Sequence, residues 1–320
     1  MRPVFSSRPL RIVAAAVTVL IGLSAPGLAE DCTTLINDFN GAVDAGRDSA
    51  AQAYIDKIAV SAECGRYQVP AQRRLAAFRL TAVQQLMARG RPVEDFDRHL
   101  TAAEAPGVLW QASATLGEVR FGARRFADAA MAFDRAIETV KNETLTPSAP
   151  SRFEIDELFE RAAQARLLAA NAPAASEADN FVKTARDQRD GTLGGFYSPS
   201  VRGIVPRAVP VPITFDFAKA TFTNIGEDAA RELATAIKEQ RPSRVLLVGH
   251  TDIRGSADTN MKLSVARAEA VAAFLHDNGI EVAVETIGKG ATEPMHLSDT
   301  SGLSQEDIYA LNRRVEWRRQ

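Results

Sequence analysis

Val248-Gly249-His250-Thr251-Asp252, followed by Leu263-Ser264-Val265-Ala266-Arg267-Ala268, decides how the C-terminal part of this 320-residue chain is read. Asp252 sits just past the end of a short apolar strand, Arg244 to Gly249, and Arg267 lies fifteen residues later, on the helix expected over Asn260 to His276. Asn260, Ser264, Arg267, Val271 and Phe274 fall on one stripe of that helix, at steps of four and three. An arginine in a stripe that turns apolar is either buried with a partner, here an internal salt bridge to Asp252, or aimed at a ligand. The planar fork of arginine suits a carboxylate. An aspartate at the C-terminal edge of a strand suits an ammonium, and that edge is where open α/β sheets bind their ligands. Thr251 and Asn260 can add hydroxyl and amide hydrogen bonds, and Arg313 either lines the same pocket or pairs within the sheet.

The elements on either side complete a layer. Val211 to Phe217 predicts a strand whose Ile213, Phe215 and Phe217 alternate as one buried face. Asn224 and Glu227 have the spacing of a capping box for a helix that ends before Pro242. Asn278-Gly279 stops the helix that carries Arg267, in the manner of a left-handed cap. Glu281 to Ile287 and Arg313 to Arg318 supply two further strands. The order β-α-β-α-β-β predicts an α/β sandwich with helices packed on one side of a mixed sheet.

Upstream the pattern is different. From Asp31 to about Gly191 the chain is alanine-rich and helical in period, with breaks at Gly46, Gly65, Pro70, Gly90-Arg91-Pro92, Pro106-Gly107 and Pro147 to Pro150. Short segments punctuated in this way predict helical hairpins. Leu116-Gly117, Phe121, Phe126, Ala129, Phe133 and Ala136 resemble a tetratricopeptide (TPR) repeat, in which small residues let two antiparallel helices approach. Ser113, Arg124 and the placement of Phe121 depart from that pattern, and a generic helical bundle is the alternative. Expected helices over Glu154 to Ala170 and Ala175 to Gln188 would stack beside this hairpin. Residues 191–209 are rich in Gly and Pro and predict a linker.

The C-terminal third resembles the OmpA C-terminal-like family. The resemblance rests on Phe215-Asp216-Phe217-Ala218-Lys219-Ala220-Thr221, Gly249-His250-Thr251-Asp252, Asn260, Leu263-Ser264, Arg267-Ala268, Gly279-Ile280, Gly288-Lys289-Gly290, Pro294 and Asn312-Arg313-Arg314-Val315-Glu316. It implies a non-enzymatic peptidoglycan-binding module, with Asp252 and Arg267 gripping the free end of diaminopimelate and Thr251, Asn260 and Arg313 beside them. Ala218, where Asp or Asn is frequent, Ile308-Tyr309, where Gly-Arg is usual, and the loop 297–307 depart from the family pattern.

Composition bounds the alternatives. The net charge of −2 gives no field for nucleic acid and no polybasic membrane patch. Arg2, Arg8 and Arg11, the apolar Ile12 to Leu23, Pro26 and Gly27-Leu28-Ala29 predict a signal peptide over residues 1–29, too short in its apolar core to span a bilayer. Cys32 and Cys64 in an exported chain predict a disulfide. His250, His276, His296 and Asp252 have no metalloprotease spacing, and no nucleophile elbow or catalytic cysteine is present, so no metal, cofactor or enzymatic activity is expected.

The expected whole is α+β. Residues 30–190 form all-α TPR-like hairpins that bind an envelope protein, and residues 210–320 form an OmpA-like domain that binds diaminopimelate-type peptidoglycan. The chain is expected in the periplasm, associated with the cell wall or outer membrane, without a transmembrane segment after cleavage. A protein-interaction adaptor with a degenerate wall module, or a murein-processing hydrolase, are the alternatives.

Overall fold

The computed structural model describes residues 29–172, 194–206, 208–297, 299–300 and 302–319. The expected signal segment ahead of Ala29 and the expected helix Ala175–Gln188 lie outside the described residues. The chain separates into two compact units, one of residues 1–108 with 299–302, the other of residues 109–298 with 303–320.

Four helices build the described part of the first unit: α1 (Ala29–Asp44), α2 (Asp48–Val60), α3 (Gln68–Ala88) and α4 (Asp97–Glu104). Phe39, Val43, Ile55, Ile58 and Leu75 are buried between α1, α2 and α3. Arg79 on α3 is buried, and its guanidinium joins Asp48 at the start of α2 (2.6 and 2.9 Å) to the carbonyl of Ala102 on α4 (3.0 Å). Cys32 and Cys64 form the expected disulfide, 5.6 Å apart at Cα, which closes a loop with a sequence separation of 32. In the chain-entropy model a loop of that length is worth about 3–4 kcal/mol. Reduction is therefore expected to lower the unfolding free energy of residues 29–108 by about that amount. Urea titration with and without reductant measures it, and coincident curves would remove the disulfide from the stability of this unit.

The second unit starts with α5 (Trp110–Gly122), α6 (Phe126–Lys141) and α7 (Arg152–Ala170). α5 and α6 form the tight hairpin that the sequence predicts: a Cβ at Gly117 would stand 2.6 Å from the ring of Phe133, so only glycine lets the helices meet there. α7 starts two residues earlier than Glu154 because Ser151 caps it, accepting from Glu154 N–H (3.3 Å) while Glu154 accepts from Ser151 N–H (2.7 Å).

The sheet has the order β1-β4-β2-β3, from β1 (Ala208–Val211), β2 (Arg244–Gly249), β3 (Ala283–Gly288) and β4 (Val315–Arg318). β2 and β3 are parallel, and β4 runs antiparallel between β1 and β2. α8 (Asn224–Gln240) and α9 (Ala257–Asp277) connect the strands, and α10 (Gln305–Asn312) lies between β3 and β4. α10 falls partly in the stretch expected as loop 297–307. Ser304 and Asp307 form its capping box. Thr223, not Asn224, caps α8, accepting from Gly226 N–H at 3.1 Å.

Two expectations are corrected. The first strand covers Ala208–Val211 instead of Val211 to Phe217, with Pro210 tolerated because β1 is an edge strand. Phe217 is 92% exposed, because the chain turns at residues 216–221, where Asp216 N–H donates to Thr221 O (2.9 Å) and Ala218 adopts φ 58°. Alternation therefore fails after Phe215.

The expected linker 191–209 is also corrected over its described part. Phe196, Tyr197, Val201 and Val209 are buried in the same apolar core as Phe133, Ile137 and Phe159 of the helices and Leu233, Leu247 and Trp317 of the α/β layer. Asp134 on α6 accepts from Phe196 N–H (2.9 Å) and pairs with buried Arg166 of α7, while Glu138 accepts from Gly195 N–H. Arg319 and Gln240 hold the carbonyl of Tyr197 from the other side (3.1 and 2.6 Å). Glycine and proline here shape a packed connection.

Candidate functional site

The site lies in the loops where β2 and β3 end and β4 begins. Helix α9 presses closely on the end of β2, where a Cβ on Gly249 would collide with the carbonyl of Ser264. This approach sets the start of α9 against the loop 250–256. His250 N–H donates to Arg314 O, Thr251 N–H to Gly290 O and Lys289 N–H to Gly249 O, each at 2.9 Å, so the three loops are stitched together. Asn260, near the start of α9, donates through Nδ2 to the carbonyls of Asp252 (3.2 Å) and Arg254 (3.0 Å). That amide braces the loop.

Asp252 is 6% exposed and heavily engaged. Its carboxylate accepts from Arg254 N–H (3.0 Å), Arg254 Nε (3.2 Å to each oxygen), Arg254 Nη2 (2.6 Å) and Arg313 Nη1 (3.0 Å). Burial alone would raise its pKa, but the hydrogen bonds from Arg254 and then Arg313 outweigh it and hold the group at about 2. Asp252 is thus ionised at any physiological pH.

Arg267 is also buried, at 4% exposure. Its Nε donates to the carbonyl of Lys219 (3.1 Å), in the turn at residues 216–221, and its guanidinium lies over the ring of Phe215, 5.0 Å from the centroid. Burial, with the nearby charge of Arg313 adding and Asp252 opposing, lowers its pKa to about 10, so it stays a cation. Of the two alternatives for this residue, the internal salt bridge to Asp252 is not formed. Asp252 pairs with Arg254 and Arg313, and among the described residues no carboxylate is ion-paired with Arg267.

The remaining residues divide. Arg313 binds both Asp252 and Glu306 (3.0 Å each), so its ion pairs run to the loop after β2 and to α10, not within the sheet. Thr251 is buried, and its hydroxyl has no hydrogen-bond partner. The three histidines have separate surroundings: His250 is buried 3.5 Å from Glu316, His276 is beside Asp277, and His296 is near Glu160. Burial pushes the His250 pKa down, which favours its neutral ring. Among the described residues no cluster of three metal-binding side chains occurs, and no helix is long and apolar enough to cross a membrane.

Sequence reasoning missed Arg254, Glu306 and Tyr309. Arg254 reaches Glu306 through Nη1 (3.3 Å) and lies over the ring of Tyr309, 4.5 Å from its centroid. Its position two residues after Asp252 was the only available signal, since a loop has no periodicity to mark which way a side chain faces.

Asp252 and Asp307 both have pKa values near 2, against an ordinary 3.8; Asp307 is lowered first by its hydrogen bonds from Arg124. A depressed folded-state pKa contributes stability that is complete above the unfolded value and lost as pH falls through the folded one. Their contributions should therefore be constant above about pH 4 and disappear between about pH 4 and 2. Carboxyl-carbon NMR titration checks this, and midpoints near 4 for both residues would refute it.

Residues 214–307 match the model of the OmpA family, and the C-terminal part of this chain is an OmpA-family domain. Probable lipoprotein YiaD of Escherichia coli is 34% identical over 109 residues, 34% of this chain and 48% of that protein. The peptidoglycan-associated lipoprotein of Pseudomonas aeruginosa is 34% identical over 107 residues, 32% of this chain and 61% of that one. Among solved structures, the peptidoglycan-associated lipoprotein of Burkholderia pseudomallei is 27% identical, covering 36% of this chain and 91% of that chain with a TM-score of 0.30. The chain spans 48%, 15% and 50% of the length of three of the curated relatives it matches.

Proposed function

We propose that the OmpA-family domain binds peptidoglycan in the cell envelope by gripping the free end of diaminopimelate, and that the helical, TPR-like region binds a protein partner. One observation carries the wall-binding reading: a buried, charged Arg267 with no ion-paired carboxylate among the described residues, beside an ionised Asp252 at the mouth of a β-loop-α unit. A buried cation without an anion is costly, and a ligand carboxylate would relieve that cost. Diaminopimelate carries an ammonium and a carboxylate on one terminal carbon. The carboxylate matches the fork of Arg267, and the ammonium matches Asp252. Thr251 can offer its unpartnered hydroxyl, and Arg313 orients Asp252. No step in this reading breaks a covalent bond.

The peptidoglycan-associated lipoproteins among the relatives support the reading by their names. The same names support a setting in the cell envelope, and the periplasm, at the wall or outer membrane, is part of the proposal. Co-sedimentation with purified sacculi tests it. Diaminopimelate-type walls should retain the chain, whereas lysine-type walls, whose stem peptides lack the terminal carboxylate, should retain it poorly. Equal retention by both would remove Arg267 from recognition.

A further inference from the structure

Asp252 already has a cation. An ionised carboxylate offers about four acceptor positions. Arg254 N–H, Nε and Nη2 together with Arg313 Nη1 supply four donors within 3.2 Å. An incoming ammonium therefore finds no free acceptor until a donor leaves.

We infer that Arg254 is a built-in competitor for the ammonium position, and that a ligand binds by displacing its guanidinium from Asp252 toward Glu306 and Tyr309. The inference rests on the wall-binding reading above. Three observations select Arg254 as the group that moves. Its side chain is 48% exposed, against 25% for Arg313. A second acceptor is already within reach, since Nη1 lies 3.3 Å from Glu306, and the ring of Tyr309 supports the guanidinium in between. The loop does not depend on the side chain, because Arg254 N–H binds Asp252 and Arg254 O accepts from Asn260, both through the backbone.

Arg267 has no such freedom, being buried and fixed by Lys219 O and Phe215. The carboxylate subsite is therefore preformed, and the ammonium subsite is closed by a side chain. A ligand with a carboxylate alone gains Arg267 but leaves Arg254 in place. A ligand with an ammonium alone must displace Arg254 without help from Arg267. Only a group carrying both charges on one carbon engages both subsites, so Arg254 acts as a specificity-determining residue.

The experiment is calorimetric titration of L-alanyl-γ-D-glutamyl-meso-diaminopimelate into the full chain and its Arg254→Gln, Arg254→Lys and Asp252→Ala variants. Arg254→Gln is expected to bind about tenfold more tightly than the parent chain. Arg254→Lys keeps the charge without the fork and should fall between them, and Asp252→Ala should bind more weakly. The matching peptide ending in lysine should gain relatively more from Arg254→Gln, because the competitor no longer excludes a lone ammonium. Parent binding with equal or weaker affinity in folded Arg254→Gln would overturn the competitor and leave the wall-binding reading intact. Absence of binding by the parent and by every variant would overturn both.

Discussion

Arg267→Met is expected to weaken sacculus binding by at least tenfold while leaving the thermal midpoint of the second unit unchanged or higher. A charge-assisted hydrogen bond is worth about 1.5–3 kcal/mol, which corresponds to about tenfold to a hundredfold in affinity. The loss should reach the upper part of that range, because the ligand carboxylate would then be desolvated without the cation that faces it. Arg267→Lys should recover only part of it, since an ammonium lacks the planar fork. Stability should respond in the opposite sense. A guanidinium buried without a carboxylate pays a desolvation cost that an apolar side chain of similar length avoids, and only the bond to Lys219 O and the contact with Phe215 are given up. Sedimentation with sacculi and thermal melting of the same preparations measure the two effects. Retained binding together with a large fall in melting temperature would make Arg267 a structural residue.

Asp134→Ala is expected to destabilise the second unit by about 3–5 kcal/mol, the cost of leaving one member of a buried pair behind. Arg166 is 2% exposed and would keep its charge without its hydrogen-bonded partner, with Glu232 as the remaining nearby carboxylate, and Phe196 N–H would lose its acceptor. The double variant Asp134→Leu/Arg166→Met removes both charges and should recover most of the loss, since the pair itself contributes little beyond an apolar replacement. Urea unfolding of the single and double variants measures both quantities. A single variant within about 1 kcal/mol of the parent chain would show that the pair is not isolated from water.

Asp252 and Arg267 were legible because their two charges interrupt patterns that are otherwise regular. Arg267 stands in a helical stripe, of which Asn260, Ser264, Arg267 and Val271 are buried as the spacing predicts. Asp252 follows a strand whose apolar run could be counted. The side chain that pairs with Asp252 was not legible, since Arg254 lies on a loop and its other partners, Glu306 and Tyr309, come from α10, more than fifty residues away in sequence. Phe217 misled for a related reason. Alternation continues through it in the sequence, but the turn around Ala218 takes the chain out of the extended conformation first. Composition misled at residues 194–209, where glycine and proline suggested a free chain although the aromatic pair Phe196-Tyr197 belongs to the core.

The packed state of that connection sets how a pull is passed through the molecule. A free Gly/Pro chain of sixteen residues would span roughly 20–24 Å and act as a soft spring. Here the backbone at 195–198 is fastened to α6 by Asp134 and Glu138 and to the last residues of the sheet by Arg319. Arg124, in the turn of the α5–α6 hairpin, adds a second fastening through two bonds to Asp307 on α10 (2.7 and 2.8 Å), the same helix that presents Glu306 and Tyr309 to Arg254. A tug on the hairpin therefore meets a stiff body with two anchor points. Among the described residues, force reaches the loops around Asp252 through these fastenings and not through a free stretch of chain.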